Sequence, residues 1–257
     1  MGAIFGASVA LSLYPLESVL IFPAMILAGA LGGFIWALIP ALLKVYFKTN
    51  EILVSLMLVY VAENILASVS QGLLRNPEGM GLPGSRNLKD YPSAEILVNS
   101  GMHWGVLTAF LAVILAYFLF LKHQKGYEIR IAGEAPKAAY FAGINPSKTI
   151  IFCMGMSGLL AGMAGLFEVA GPAGQITMSF NSGYGFTAII VAFLGRLNPI
   201  GILLAGLLMA LTYIGGEIAQ LMLALPGASI QLLQGMLLFF LLATDIFTNY
   251  RFKFRGS

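Results

Sequence analysis

The sequence predicts an all-α protein, a polytopic transmembrane helical bundle of about seven spans plus a partial helix at its N-terminus. Composition points there first. Of 257 residues, 59% are hydrophobic and 10% charged, with a mean hydropathy of +0.88, against roughly 45–50% and about 25% in ordinary soluble domains. Patterning points the same way, because long stretches are apolar all round, where a soluble helix would keep a polar face. The 30 glycines add a third indication, since small residues let membrane helices approach closely. A single cysteine, Cys153, excludes an intrachain disulfide or a cysteine metal cluster. The net charge of +3 does not indicate nucleic acid, because the basic residues fall in loops between apolar runs.

In chain order, Ala3 to Tyr14 is too short for a complete span. It also lacks the basic flank and small-residue cleavage site of a signal peptide, and is expected to be the end of a helix whose start is missing. Spans are expected over Val19 to Leu43, Ile52 to Ser70, Trp104 to Leu121, Thr149 to Ala170, Ile200 to Ile218 and Ser229 to Phe247. Tyr184 to Leu194, bounded by Gly183 and Gly195, is a shorter span. The loop from Gln71 to Gly101 holds Pro77, Gly79, Gly81, Pro83, Gly84 and Pro92 and is expected to form a structured cap.

Charge sets the orientation. Lys44 and Lys48, then Lys122, Lys125, Arg130, Lys137 and Lys148, then Arg196, and finally Arg251, Lys253 and Arg255 alternate onto one side. Arg75, Arg86 and Lys89 on the other side are balanced by Glu78, Asp90 and Glu95. Positive charge favours the cytoplasm. The first group, the C-terminus included, is therefore expected to be cytoplasmic, and this alternation requires Tyr184 to Leu194 to cross.

The cytoplasmic loop over 126–147 stands out. Pro136 suits a first helical position and Gly143 a C-terminal cap, so Pro136 to Ala142 is expected to form a short surface helix. Pattern alone leaves two roles open, a grip for a partner protein or an interfacial segment sealing the bundle. Within the second span, Glu63 lies beside Asn64, while Tyr60, Asn64, Ser68 and Gln71 share one helical face. This stripe either contacts substrate or bonds helix to helix. Glu168 and Asp245 lie near span ends, where capping or interfacial roles are expected. Gln175, Thr177, Ser179 and Asn181 alternate in a connection that either lines an entrance or is simply solvated. Met154, Met156 and Met163 fit packing, and both histidines are expected to be interfacial rather than ligating.

The loop resembles the coupling segment of the ABC importer permeases for simple sugars, nucleosides and branched-chain amino acids. Also similar to that family are Gly33-Phe-Ile-Trp-Ala-Leu-Ile-Pro-Ala-Leu-Leu-Lys44 followed by Thr49-Asn-Glu-Ile-Leu-Val-Ser-Leu-Met-Leu58, Gly183-Tyr-Gly-Phe186 with Ala192-Phe-Leu-Gly-Arg196, and Gln234-Gly-Met-Leu-Leu-Phe-Phe240. Glu168-Val-Ala-Gly171 and Gly215-Gly-Glu217 look most like the nucleoside and simple-sugar branch. Members of that branch usually carry further N-terminal helices, so the chain is expected to be a fragment or the product of a downstream start. It also has Val59 where the family often has Asn, and Thr187 where it often has Asp.

The resemblance implies one permease domain over 1–257 in a bacterial cytoplasmic membrane, surrounded by lipid. It implies a separate ABC ATPase docking at Gly133, Glu134, Pro136, Ala138 and Gly143, a second permease subunit, identical or homologous, and an extracytoplasmic substrate-binding protein. Nucleosides are the expected cargo ahead of a simple sugar such as ribose or galactose, with branched-chain amino acids behind both, and Tyr60, Glu63, Asn64 and Ser68 the expected pathway. No cofactor, metal, nucleic acid or catalytic residue is expected. The sequence contains no Gly-x-x-x-x-Gly-Lys-Ser/Thr phosphate loop, so ATP hydrolysis is assigned to the partner. A secondary transporter would more naturally carry several charges deep in its spans, and no metal set, carboxylate pair or nucleophile motif supports a membrane enzyme.

Overall fold

The computed structural model describes residues 1–13, 20–79, 84–88, 103–177 and 183–223, with isolated positions between 226 and 244. The span expected over Ser229 to Phe247 lies mostly outside them, as do Asp245, Ser179, Asn181 and the C-terminal basic residues. The chain divides into two compact units, Met1–Ser182 and Gly183–Ser257.

The first unit holds α1 (Gly2–Ser12), α2 (Ile21–Phe47), α3 (Glu51–Gln71), α4 (Trp104–Leu121), α5 (Gln124–Glu134), α6 (Pro136–Phe141) and α7 (Pro146–Glu168), the last continued by a π-helical turn, Val169–Ala173. Helices α2, α3 and α4, and α7 with its π-turn, are each long and apolar enough to cross a membrane. Packing centres on α1, α2 and α7. In lipid there is little hydrophobic drive between helices, and close backbone approach supplies the attraction through van der Waals contact. The Gly29-x-x-x-Gly33 step of α2 meets the Gly158-x-x-x-Gly162 step of α7, and Gly2 of α1 lies against Gly162. A methyl group on Gly33 would overlap the Gly158 and Gly162 backbones, and one on Gly162 the Gly29 carbonyl. Around this crossing Ala3, Ile4, Ala7, Ala10, Met25, Leu166 and Val169 are buried. The N-terminal stretch, too short to span by itself, is thus a full member of the core.

Helix α2 keeps Pro40 inside and runs to Phe47, four residues beyond the expected end. Lys44 is therefore helical, with Lys48 in the left-handed region at φ 52° closing the helix. Asn50 caps α3, its Oδ1 accepting from the Ile52 N–H at 3.0 Å, and Glu51 in the first turn pairs with Lys44. The Asn-Glu pair therefore works as a cap and a clamp on the α2–α3 turn.

Between α3 and α4, residues 72–79 and 84–88 are held by an ion pair and hydrogen bonds, while the rest of the cap expected over Gln71 to Gly101 lies outside the described residues. Arg86 pairs with Glu78 at 3.2 Å, and the Asn76 N–H donates to the Gly84 carbonyl. Residues 84–88 are sewn to the segment after the π-turn. The Ser85 N–H donates to the Ile176 carbonyl, the Ile176 N–H to Ser85 Oγ at 2.9 Å, and the Leu88 N–H to the Gly174 carbonyl. Ile176 and Leu88 are buried beneath, while Gln175 is exposed and Thr177 half-buried.

The second unit holds α8 (Tyr184–Leu194) and α9 (Pro199–Leu223), joined by a sharp turn. Arg196 and Leu197 adopt φ of 51° and 54°, a region uncommon for residues with side chains. Asn198 then caps α9 through Oδ1 to the Ile200 N–H. Helix α8 spans 11 residues, as the sequence indicates, and α9 runs five residues past the expected Ile218.

Candidate functional site: a surface helix pair and a polar span

The loop expected over 126–147 contains more helix than the sequence suggests. Helix α5 begins at Gln124 behind His123, whose Nδ1 accepts from the Lys125 N–H at 3.0 Å. Gly126 lets it pack against the end of α4, because a side chain there would strike the Leu119 and Phe120 carbonyls. An ion pair between Lys125 and Glu128 at 2.7 Å adds support within the helix. Ala135 ends α5 and starts α6, and Pro136 takes the first position of α6.

Gly143 ends this short helix at φ +79°. Its N–H donates to the Tyr140 carbonyl, and the Ile144 N–H to the Ala139 carbonyl. This is the Schellman pattern, for which glycine is favoured. Two residues further on Asn145 caps α7, its Oδ1 accepting from the Ser147 and Lys148 N–H groups. Ala139 is fully buried and anchors α6, while Gly133, Glu134, Pro136, Ala138 and Gly143 are exposed together on this surface piece. Tyr140 and Phe141, at 72% and 90% exposure, project from it with their rings packed edge to face. Sequence reasoning passed over this aromatic pair. Two adjacent aromatics next to the Pro136 helix start were the available signal, since aromatics are enriched at protein interfaces.

The other candidate region lies on α3. Tyr60, Glu63, Asn64, Ser68 and Gln71 are all exposed in this unit, and Leu66 and Ser70 are buried on another face. The Asn64 Nδ2 donates to the Tyr60 carbonyl one turn back at 2.8 Å. That bond ties the amide to its own helix, and its position one turn from Tyr60 places it within the stripe.

At the far end of α4 and α7, His103 caps α4, its Nδ1 accepting from the Gly105 N–H at 3.1 Å, and its ring lies against Gly171 of the π-turn. Glu168, at the end of α7 just before the π-turn, is half-buried. Both histidines thus act as helix caps. π-turns are frequently found at functional sites, and this one falls on the Glu168-Val-Ala-Gly171 motif. In the second unit, Thr187 and Tyr213 share a hydroxyl hydrogen bond of 2.7 Å, with the Tyr184 ring edge-on to Tyr213. Sequence reading registered Thr187 only as a departure from a family pattern.

The described helices form a helical membrane bundle with a surface helix pair between two spans, and comparison with known proteins places it among the transport permeases. The chain belongs to the family described as branched-chain amino acid transport system / permease component, whose profile matches residues 1–242. Among curated relatives, it is 32% identical over 98% of its length to a glucose ABC transporter permease, TsgB13, of Haloferax volcanii. It is 32% identical over 75% of its length to the guanosine ABC transporter permease NupP of Bacillus subtilis. It is also 28% identical over 80% of its length to the nucleoside ABC transporter permease NupB of Lactococcus lactis. The chain spans 68%, 56% and 59% of the lengths of these three relatives. No solved structure matches. Family and relatives place the chain with the simple-sugar and nucleoside permeases.

Proposed function

We propose that this chain is the permease subunit of a bacterial ABC importer and moves nucleosides across the cytoplasmic membrane. The observation that carries the reading is the α5–α6 pair. It is capped at His123 and at Gly143, exposed and tipped with Tyr140 and Phe141, and joined within a few residues to a spanning helix. Such a piece suits docking by a separate ATPase, whose closure would drive the helices between inward-open and outward-open arrangements. The basic residues around α5 and α6 favour the cytoplasmic side for this surface and the C-terminus. The cap between α3 and α4 would then face an extracytoplasmic substrate-binding protein. A second permease subunit, the same or homologous, would complete the pathway, with 1–257 acting as one permease domain.

The polar face of α3 is the proposed substrate contact, with Tyr60, Glu63, Asn64 and Ser68 offering hydrogen bonds to ribose hydroxyls and base edges. Support for nucleosides comes from NupP and NupB together with the Glu168 and Glu217 motifs. A sugar is the second reading, favoured by the glucose permease match across 98% of this chain.

Uptake of labelled uridine, guanosine, glucose, ribose and leucine, measured in cells carrying the intact operon with and without this gene, tests the proposal. Loss of nucleoside uptake alone is the expected result. Loss confined to glucose or ribose would establish the sugar reading, and unchanged uptake of all five would reject both.

A further inference from the structure

Where α5 runs beside the first turns of α7 there is a groove of about 380 Å³ whose lining includes Lys125, Glu128, Ile129, Ile144, Lys148 and Phe152. Its two kinds of lining differ in chemistry. Ile129, Ile144 and Phe152 are apolar, whereas Lys125, Glu128 and Lys148 are charged. The charges do not cancel, because Glu128 is already taken by Lys125 at 2.7 Å and the Lys148 ammonium has no partner among the described residues. The first N–H groups of α7 do not supply the attraction, being engaged by Asn145. The groove opens at the start of α7, a helix long and apolar enough to cross a membrane, with α5 alongside, which is where the polar end of a span is expected. Basic pockets at such polar ends of membrane helices suit anionic lipid head groups.

We propose that this groove holds the head group of an anionic phospholipid, its phosphate at Lys148 and Lys125 and its glycerol end against Ile144 and Phe152. The proposal rests on α7 spanning the membrane and not on what the protein carries. Glu128 then has a definite role, holding Lys125 partly neutralised and so limiting the affinity.

The test is native mass spectrometry of the full chain, released from micelles containing equal phosphatidylglycerol and phosphatidylcholine, which needs no transport. The wild type should retain phosphatidylglycerol preferentially. Lys148→Gln should weaken retention about 5-fold, the effect of one basic residue at an anionic surface, and Lys148→Arg should preserve it. Glu128→Gln should strengthen retention by releasing Lys125. Lys137→Gln, which removes the same charge from α6 outside the groove, should change nothing. Equal retention of both lipids, a Lys137→Gln loss matching that of Lys148→Gln, or no gain from Glu128→Gln would each overturn the proposal. So would displacement of the lipid by millimolar inorganic phosphate, which would assign the groove to a free anion.

Discussion

Within the first unit, α2 and α7 differ sharply from α3 and α4. In their most apolar windows α2 is 33% buried and α7 28%, whereas α3 is 6% and α4 0%. All four are apolar enough to span, so hydropathy does not separate them. Glycine placement does. Helices α2 and α7 carry paired glycines four apart and close on one another through backbone contact, while α3 has no glycine and α4 only Gly105 in its first turn. The unit thus has a core that packs itself and two helices whose side faces remain available to lipid, to a subunit or to cargo.

The largest effect should come from breaking the core. Gly162→Leu would drive a side chain into the Gly29 and Gly33 backbones, a cost expected at or above ~3 kcal/mol, the upper end of the usual range for overpacking. The amount of folded protein recovered from membranes should collapse. Leu111→Ala on α4, where the residue is 50% exposed, should shift stability by less than about 0.5 kcal/mol, as for surface positions generally. Comparable losses from the two would erase the distinction between core and periphery.

Next in size is the surface pair. Replacing Tyr140 and Phe141 together by alanine should weaken ATPase association by at least about 10-fold, since an interface hot spot is worth about 2 kcal/mol. Insertion should be normal, because neither ring is buried. Glu134→Arg should likewise leave the protein inserted while uncoupling ATP hydrolysis from uptake. Normal coupled uptake in both variants would leave α6 a seal rather than a grip.

Asn64→Leu should act more narrowly, raising the KM for uptake about 10-fold for the loss of one hydrogen bond worth about 1.5 kcal/mol. Abundance should stay within twofold, and equal falls in uptake and assembly would instead make the stripe a helix-packing device. The smallest effect belongs to Thr187→Val, which removes the hydroxyl pair with Tyr213. A loss of about 0.6 kcal/mol, the mean for hydrogen bonds between membrane helices, should appear as a slight fall in thermal midpoint. A change in uptake selectivity without that fall would instead move Thr187 onto the substrate path.

Spans were legible where apolar runs meet clear punctuation. Helices α4 and α8 begin and end where the sequence indicates, at His103 and Lys122 and at Gly183 and Gly195. Helix α2 overran its expected end because Lys44 stays helical to reach Glu51, a tertiary contact that a charge count reads as the start of a loop. Helix α5 was missed because its apolar content is low, it contains Gly126 and Gly133, and its cap is a histidine rather than the Ser, Thr, Asp or Asn usually sought. The π-turn after Glu168 leaves no periodic signature in five residues. For the candidate site, the two ends of α6 were readable from Pro136 and Gly143. What the sequence could not convey is which α6 side chain turns inward: Ala139 does, leaving Tyr140 and Phe141 outside.

The closeness of the two caps at Gly143 and Asn145 has a mechanical consequence. A six-residue helix closed at its C-terminal end by Gly143 and followed almost at once by the Asn145 cap of α7 leaves only Ile144 between the two caps. Force applied to Tyr140 or Phe141 therefore passes through Ile144 into the base of α7, the helix that interlocks with α1 and α2, instead of dissipating in a compliant hinge. The joint has the stiffness of a crank rather than a tether, and a few Gly-Ser residues inserted after Gly143 would turn one into the other.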